Sequence, residues 1–423
     1  MVPHLVTALS GPLFALEEKL LNANAAIERW FRFEWQERTP PFYCSVDLCN
    51  AGYKLAPLRC DLFPNCFNHL SEEMLPLAIQ AAVSAIEKYC PDAKGLVFIP
   101  DHQAGNDDYW ANVLRLTAIL KQTGLDVRYG AIESQPTAQP ATPRAVQLKD
   151  GRQILLEPLT RKGKRVGIGA FDPCAILLNH PMPTGLPSVL GNLYEQVLLP
   201  PLHAASSKRN LSQHLLAYDE VAKRFAKALS MDPWFINPSF AVHTEKASSQ
   251  GYPVSASQLA TKVETLLKKI KSKYKEHGIK TTAFVTLRPN VDTGDTRALR
   301  INQAADVEAL VASGSIQNYP SGLAIQEGLK SIEAINGQLT QATVLMVDRF
   351  VVGGFYQLSE PASARATVFK PLPFSKPCNM PDCGEGTTSA PNRFYAYGVI
   401  ARLSLLAAAL ELERTDPDQS QYG

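Results

Sequence analysis

Polar and apolar positions alternate along the first 150 residues in two distinct periods. A helical period covers about 12 to 37, and the strand-like FYCSVDL (42–48) follows it. A second helical stretch from Glu72 to Tyr89 leads into GLVFIP at 95–100. A third, near 108–123, stops at Gly124 before DVRYGAI. Helices between short apolar strands predict a parallel or mixed sheet covered on both faces, hence an α/β fold. Residues 134–146 (SQPTAQPATPRAV) are rich in Pro, Ser, Thr and Ala and read as a surface excursion or a boundary.

Beyond that point RQILLEPL and AILLN supply two more strands, and LLPPLHAASSKRNLSQH opens a mostly helical stretch. Between Ser255 and Tyr274, Leu259, Val263, Leu266, Leu267 and Ile270 recur at helical spacing with lysines opposite them. That pattern is a solvated amphipathic helix rather than a nucleic-acid surface. The last third turns β-rich: TAFVTL, LAIQEGL and the long ATVLMVDRFVVGGFYQL carry β-branched and aromatic residues, with Gly353-Gly354 marking a turn or bulge. YGVIARLSLLAAALELE closes the core as an apolar helix. The expected division is 1–150, an N-terminal α/β domain; 151–280, a mostly helical middle segment with two strands; and 281–423, an α+β C-terminal half.

Composition changes this picture little. The chain has 423 residues, 45% apolar and 19% charged, with a net charge of +2. It is long enough for two or three packed units and offers no strong field, so neither nucleic acid nor an anionic membrane is expected as a partner. No apolar run reaches the ~18 to 20 residues that span a bilayer. The opening MVPHLVTALSGPLFALEEKL lacks the basic start of a secretory signal, so a cytoplasmic location is expected. Eight cysteines in such a chain read as reduced thiols. The four between Cys44 and Cys66 lack the tight C-x-x-C pair from which zinc sites usually start.

Several longer strings carry more: PFYCSVDL, NAGYKLAP, LFPNCFNHL, FDPCAILLN, LLPPLH, DPWFINP, MVDRFVVGGFY and NRFYAYGVIARLSLLAAALELE. In this order and spacing, from near residue 1 to about 414, they resemble the proteobacterial-type glutamate–cysteine ligases, relatives of glutathione synthetase with an ATP-grasp fold. The resemblance implies an N-terminal α/β domain before an ATP-grasp half, with small molecules (glutamate, cysteine, ATP) as partners. It implies ATP and Mg²⁺ as cofactors and γ-glutamylcysteine, the first intermediate of glutathione synthesis, as product. A homo-oligomer is compatible with it.

Such chemistry needs basic groups over the triphosphate, oxygen ligands for Mg²⁺, and a clamp for the glutamate carboxylates. Matched position by position, the resemblance gives Arg288 and Arg209 catalytic roles. Arg288, Thr293 and Gly294 would hold nucleotide, Asn50, Lys54, Arg209 and Ser212 would hold substrate, and Asp348 would hold metal. The sequence also departs from the family pattern. Arg288 replaces a lysine, and Asp292 and Asp295 enter a loop that is otherwise glycine-rich. Cys49 replaces an arginine, Gln103, Ala104 and Gly105 replace His, Thr and Arg, and the segment after Tyr356 is shorter. Acidic residues beside phosphate oppose nucleotide binding. Two further readings therefore stand beside the ligase: an inactive homologue with a regulatory or scaffolding role, and a ligase of changed substrate.

Overall fold

The computed structural model describes residues 5–6, 12–101, 106–132, 142–193, 195–243, 256–291, 298–316, 322–335, 337–358, 368–372 and 393–417. Three sheets organise these residues, with a small two-stranded ribbon beside them.

The first sheet is mainly parallel. Gly95–Pro100 lies between Ala175–Asn179 on one side and Asp126–Ala131 on the other. Val197–Leu199 and Gln153–Pro158 extend it in parallel, and Arg144–Gln147 adds an antiparallel edge. The helix Asp107–Lys121 links two of these strands, and the Asn106 side chain caps it by accepting from the Tyr109 N–H at 2.7 Å. Gly124 has φ +90, a backbone setting that favours glycine, directly after that helix. All six residues of Gly95–Pro100 are buried, as a strand covered on both faces requires. The mixed sheet read from the sequence is therefore present.

The second sheet is antiparallel. Tyr43–Asn50 pairs with Leu55–Asp61 and with Gln338–Val347, which in turn pairs with Phe350–Leu358. Its strands thus come from both the first and the last expected domains. A register shift between Leu345 and Met346 leaves Val352, next to Gly353, as a bulge in the facing strand, and a Cβ on Gly354 would lie 2.6 Å from the Thr343 carbonyl oxygen. The Gly-Gly pair marks a bulge because the partner backbone comes too close for a side chain. Over one face lies the closing helix Arg393–Thr415, packed on the helix Leu211–Ala228. Among the described residues, its stretch Phe394–Thr415 is long and apolar enough to cross a membrane, yet it is mostly inside the core.

The third sheet has four antiparallel strands, Phe240–His243, Leu323–Glu327, Val285–Pro289 and Leu299–Ile301. The helix Ala256–Glu276 lies over it, burying Leu259, Val263, Leu266, Leu267 and Ile270, the positions its period marks.

One expectation about the thiols needs correction. Cys90 and Cys174 form a disulfide, with their Cα atoms 6.4 Å apart across 84 positions of sequence. Cys90 ends the helix Leu75–Tyr89, and Cys174 donates its N–H to the Gly95 carbonyl at 3.1 Å. Both therefore stand at the same end of two neighbouring parallel strands, a juxtaposition that spacing in sequence does not reveal. Cys44, Cys49 and Cys60 are free and buried, and Cys66 is free and half-buried.

Candidate active site

The three sheets meet around a cavity of about 580 Å³. Each brings charged or amide side chains to it for a local reason. On Tyr43–Asn50, Cys44, Val46 and Leu48 enter the core beneath the closing helix, so the pleat turns Asp47 to the other face. Asp47 stands opposite Arg59, and Ser45 opposite Asp61, in the strand register; Asp47, Arg59 and Asp61 all line the cavity. On the four-stranded sheet, Arg288 and Gln326 share a face, because Thr286 pairs with Gln326 and Arg288 with Ala324. Asp101 follows the carboxyl end of Gly95–Pro100, and Asn179 ends the neighbouring parallel strand.

The helix Leu211–Ala228 begins at the same place. Its first orphan donors are taken by Asn290, whose carbonyl accepts from Leu211 N–H at 2.7 Å and whose side-chain oxygen accepts from Ser212 N–H at 2.8 Å. A residue from the four-stranded sheet thus caps a helix of the main body. The cap also fixes where Arg209 and His214, just outside and inside that end, approach the cavity.

Charge in the cavity is closely paired. Glu411, on the closing helix and 2% exposed, accepts from Arg209 Nε and Nη2, both at 2.8 Å, and lies 3.0 Å from His214 Nδ1. Burial would raise its carboxyl, but the adjacent Arg209 and His214 outweigh that and hold it at about 2. Arg209 Nη1 also donates to the Cys60 carbonyl at 2.6 Å. Asp47 is in a different position. Burial pushes its carboxyl up, against the opposing pull of the Thr343 hydroxyl, which donates at 2.7 Å, and of Arg59 and Arg288. Hydrogen bonding between the Cys44 and Cys60 thiols pulls the Cys60 thiol down despite its burial and pushes that of Cys44 up.

Of the residues singled out from the sequence, Arg288 and Arg209 reach this cavity together. Arg288 lies within the last residues of its strand, as expected, and donates to the Leu58 carbonyl at 3.1 Å. Ser212 is buried, with its N–H engaged by Asn290. Asn50 and Lys54 are not among the lining residues. Asn50 donates to Glu333 at 3.0 Å, while Lys54 donates to Glu327 at 2.7 Å and to the Asn237 carbonyl at 3.2 Å, above the Trp234 ring. Lys54 is fully buried, and its contacts make it a strut between sheets rather than a clamp open to substrate.

Asp348 also lies away from the cavity. It occupies the hairpin turn after Gln338–Val347, with φ +49, 3.7 Å from Lys88 Nζ and 3.9 Å from Arg349 Nε. It stands five positions beyond Thr343, roughly 17 Å along the strand. Thr293 and Gly294, with Asp292 and Asp295, fall outside the described residues. The sequence reading misses Asp47, Asp61, Asp101 and Gln326. The one signal for Asp47 is an acid alternating with apolar residues in SVDLCN, a polar position on a strand otherwise buried.

An antiparallel sheet is thus set against a mixed α/β body, with arginines and aspartates facing each other in the cavity between them. Similarity to known proteins sharpens this. Residues 17–412 match the family described as glutamate-cysteine ligase. The chain is 44% identical to a protein of Methylobacillus flagellatus KT provisionally assigned as a gamma-glutamylcysteine synthetase, with a TM-score of 0.85 over 98% of this chain and 100% of that one. This chain belongs to the glutamate–cysteine ligase family.

Two more distant likenesses are too low to carry weight. One is a glutathione synthetase-like effector of Globodera pallida, at 9% identity and TM-score 0.43 over 84% of this chain and 86% of that one. The other is D-alanyl-alanine synthetase A of Vibrio cholerae O1, at 9% and 0.35 over 73% and 81%. A search of curated proteins found no match.

Proposed function

We propose that this chain joins the γ-carboxylate of glutamate to the amine of cysteine with hydrolysis of ATP to ADP, and that the cavity between the three sheets is where it does so. The observation that carries this reading is the lining itself: Asp47, Asp61 and Asp101 with Arg59 and Arg288, gathered from the three sheets, and Arg209 from the start of the helix Leu211–Ala228. A site for two zwitterions and a polyphosphate needs charges of both signs, held apart by a rigid frame.

The donor set suits a magnesium–phosphate pair. Asp47 and Asp61 offer hard oxygens on adjacent strands, and Asp47 is a buried acid whose ionised form burial disfavours until a cation compensates it. These two residues, rather than Asp348, would hold the metal, which supplies charge neutralisation between phosphate oxygens when bound. Arg288 and Arg59 face the same space and would bear on the phosphates. Arg209, steadied by Glu411 and the Cys60 carbonyl, would take the α-carboxylate of the glutamate donor through the remaining N–H of Nη1. Gln326 and Gln341 line the wall between these groups and can donate to either partner.

The test is ADP release by the purified chain, together with the mass of the peptide formed. The proposal expects release that needs glutamate and cysteine together. Release indifferent to both amino acids would count against the ligase reading, and no ATP binding at millimolar concentration would favour the inactive homologue.

A further inference from the structure

The strands Tyr43–Asn50 and Leu55–Asp61 turn aspartates to one face and thiols to the other. Val46 stands directly opposite Cys60, and Ser45 opposite Asp61. Residues two apart on a strand share a face, so Cys44 lies diagonal to Cys60 on the side that enters the core beneath the closing helix. Both thiols are free, and they hydrogen-bond to each other. Among the described residues, Leu55–Asp61 pairs with Tyr43–Asn50 only, so it is an edge strand. The cavity lining reaches its open side, where Cys60 meets Arg209 and His214.

Burial gives the two thiols different parts. Cys60 belongs to the cavity lining and is 6% exposed, whereas Cys44 is 0% exposed and lies behind it. A small solute in the cavity therefore meets Cys60 first. Cys66 is more open, but its thiol contacts Ser45, on the opposite face of the strand from Cys44. Cys49 alternates with Leu48 and also falls on that opposite face. The sheet thus separates both from the Cys44–Cys60 pair.

We infer that Cys60 is a site of oxidation by hydroperoxides and that Cys44 resolves it, closing a reversible disulfide at the edge of the sheet. The Cys60 sulfur attacks one peroxide oxygen and the O–O bond breaks. The departing hydroxide leaves with the thiol proton as water, and Cys60 becomes a sulfenic acid. The Cys44 sulfur then attacks Cys60, the S–S bond forms, and the sulfenic hydroxyl leaves with the Cys44 proton as a second water. The two thiols lose two electrons in all, and the peroxide takes them up. Drawing the sulfurs to a bonded distance of about 2 Å pulls on an edge strand that has one neighbour to hold it. The Cys60 carbonyl, which accepts from Arg209 Nη1 at 2.6 Å, moves with that strand, as does Asp61 beside it. Oxidation therefore reshapes the cavity wall from the face behind it.

The experiment treats the purified full chain with equimolar hydrogen peroxide, blocks the remaining thiols, and maps peptides by mass spectrometry without reduction. The expected product is a peptide pair joined through Cys44 and Cys60, which dithiothreitol separates. In Cys44→Ser, which keeps the shape, the reaction should stop one step earlier, with dimedone trapping a sulfenic acid on Cys60. In Cys60→Ser, Cys44 should stay unmodified. A parent whose Cys44 and Cys60 both stay free, or a Cys60→Ser variant oxidised at Cys44, would overturn the inference. A second readout, L-glutamate binding by titration calorimetry, rests on the ligase reading above. Affinity is expected to fall at least about tenfold on oxidation, the scale of unseating one charged donor, and to return with dithiothreitol. A disulfide that forms without changing this affinity would overturn the effect on the cavity while sparing the ligase reading. A parent that binds no glutamate in either state counts against the ligase reading, and the peptide map then decides the thiol chemistry by itself.

Discussion

Glu411 shows how much one side chain on a core helix can decide. Its carboxyl is held at about 2 against an ordinary value of 4.5, so it is a depressed acid. Its stabilising contribution is full above the unfolded value and is lost as pH falls from about 4.5 towards 2. The shift corresponds to on the order of 3 kcal/mol. Unfolding midpoints in urea measured from pH 6 to pH 3 are expected to fall in the parent and to flatten in Glu411→Gln, which should also be less stable at neutral pH because Arg209 is left buried without its partner. An equal acid slope in both proteins would show that another carboxylate governs the acid limb. Residue roles are the least legible scale in the sequence. Arg288 and Arg209 stand out through strings that resemble the family, whereas Glu411 lies in ALELE, where it looks like one polar position on a helix. Its role depends on partners about 200 residues away.

Elements are far easier to read, since their causes are local. The period of the helix Ala256–Glu276 and the alternating or continuous apolar runs of the strands are visible in the chain itself. The helix expected over 12–37 is broken in two, Pro12–Asn22 and Asn24–Glu37, a division that apolar spacing does not announce. The bulge at Gly353-Gly354 is legible because a glycine pair weakens a β-branched strand unless the neighbouring backbone needs the space. It gives a prediction at this scale: Gly354→Ala places a methyl 2.6 Å from the Thr343 carbonyl oxygen, so the strands must part. Thermal unfolding should register a loss of about 1 to 3 kcal/mol, as overpacking usually costs. Because Thr343 also donates to Asp47, turnover should drop with it. A variant as stable as the parent would mean that the bulge already has room.

The whole molecule depends on contacts that no local pattern encodes. Which sheet edge meets which is not legible in the sequence, and neither is the disulfide between Cys90 and Cys174. Lys54 is the clearest instance. Within NAGYKLAP it reads as a substrate contact, yet it is a buried ion pair with Glu327 that fastens the four-stranded sheet to the strands carrying Asp47 and Asp61. Burial lowers its amine, and the Glu327 charge opposes that. Removing either partner alone should cost roughly 3 to 5 kcal/mol, whereas Lys54→Met with Glu327→Leu should be close to neutral. Denaturant unfolding of the three variants checks this. Additive losses in the double variant would show that the two charges act independently.

The central claim is that chemistry occurs in the cavity between the sheets, with Asp47 and not Asp348 at the metal. Asp47→Asn keeps the Thr343 contact and removes a charge that burial disfavours. Raised acids contribute stability below their unfolded value and lose it as pH rises, so this variant should melt no lower than the parent at neutral pH. Asp348→Asn suits the left-handed backbone of its turn. The most direct measurement is glutamate- and cysteine-dependent ADP release by the parent and these two variants at saturating magnesium. The account predicts a loss of about a hundredfold or more in Asp47→Asn, the scale of losing a group that stabilises developing charge, and a rate within about twofold of the parent in Asp348→Asn. The reverse order, with Asp348→Asn inactive and Asp47→Asn near the parent rate, would contradict it.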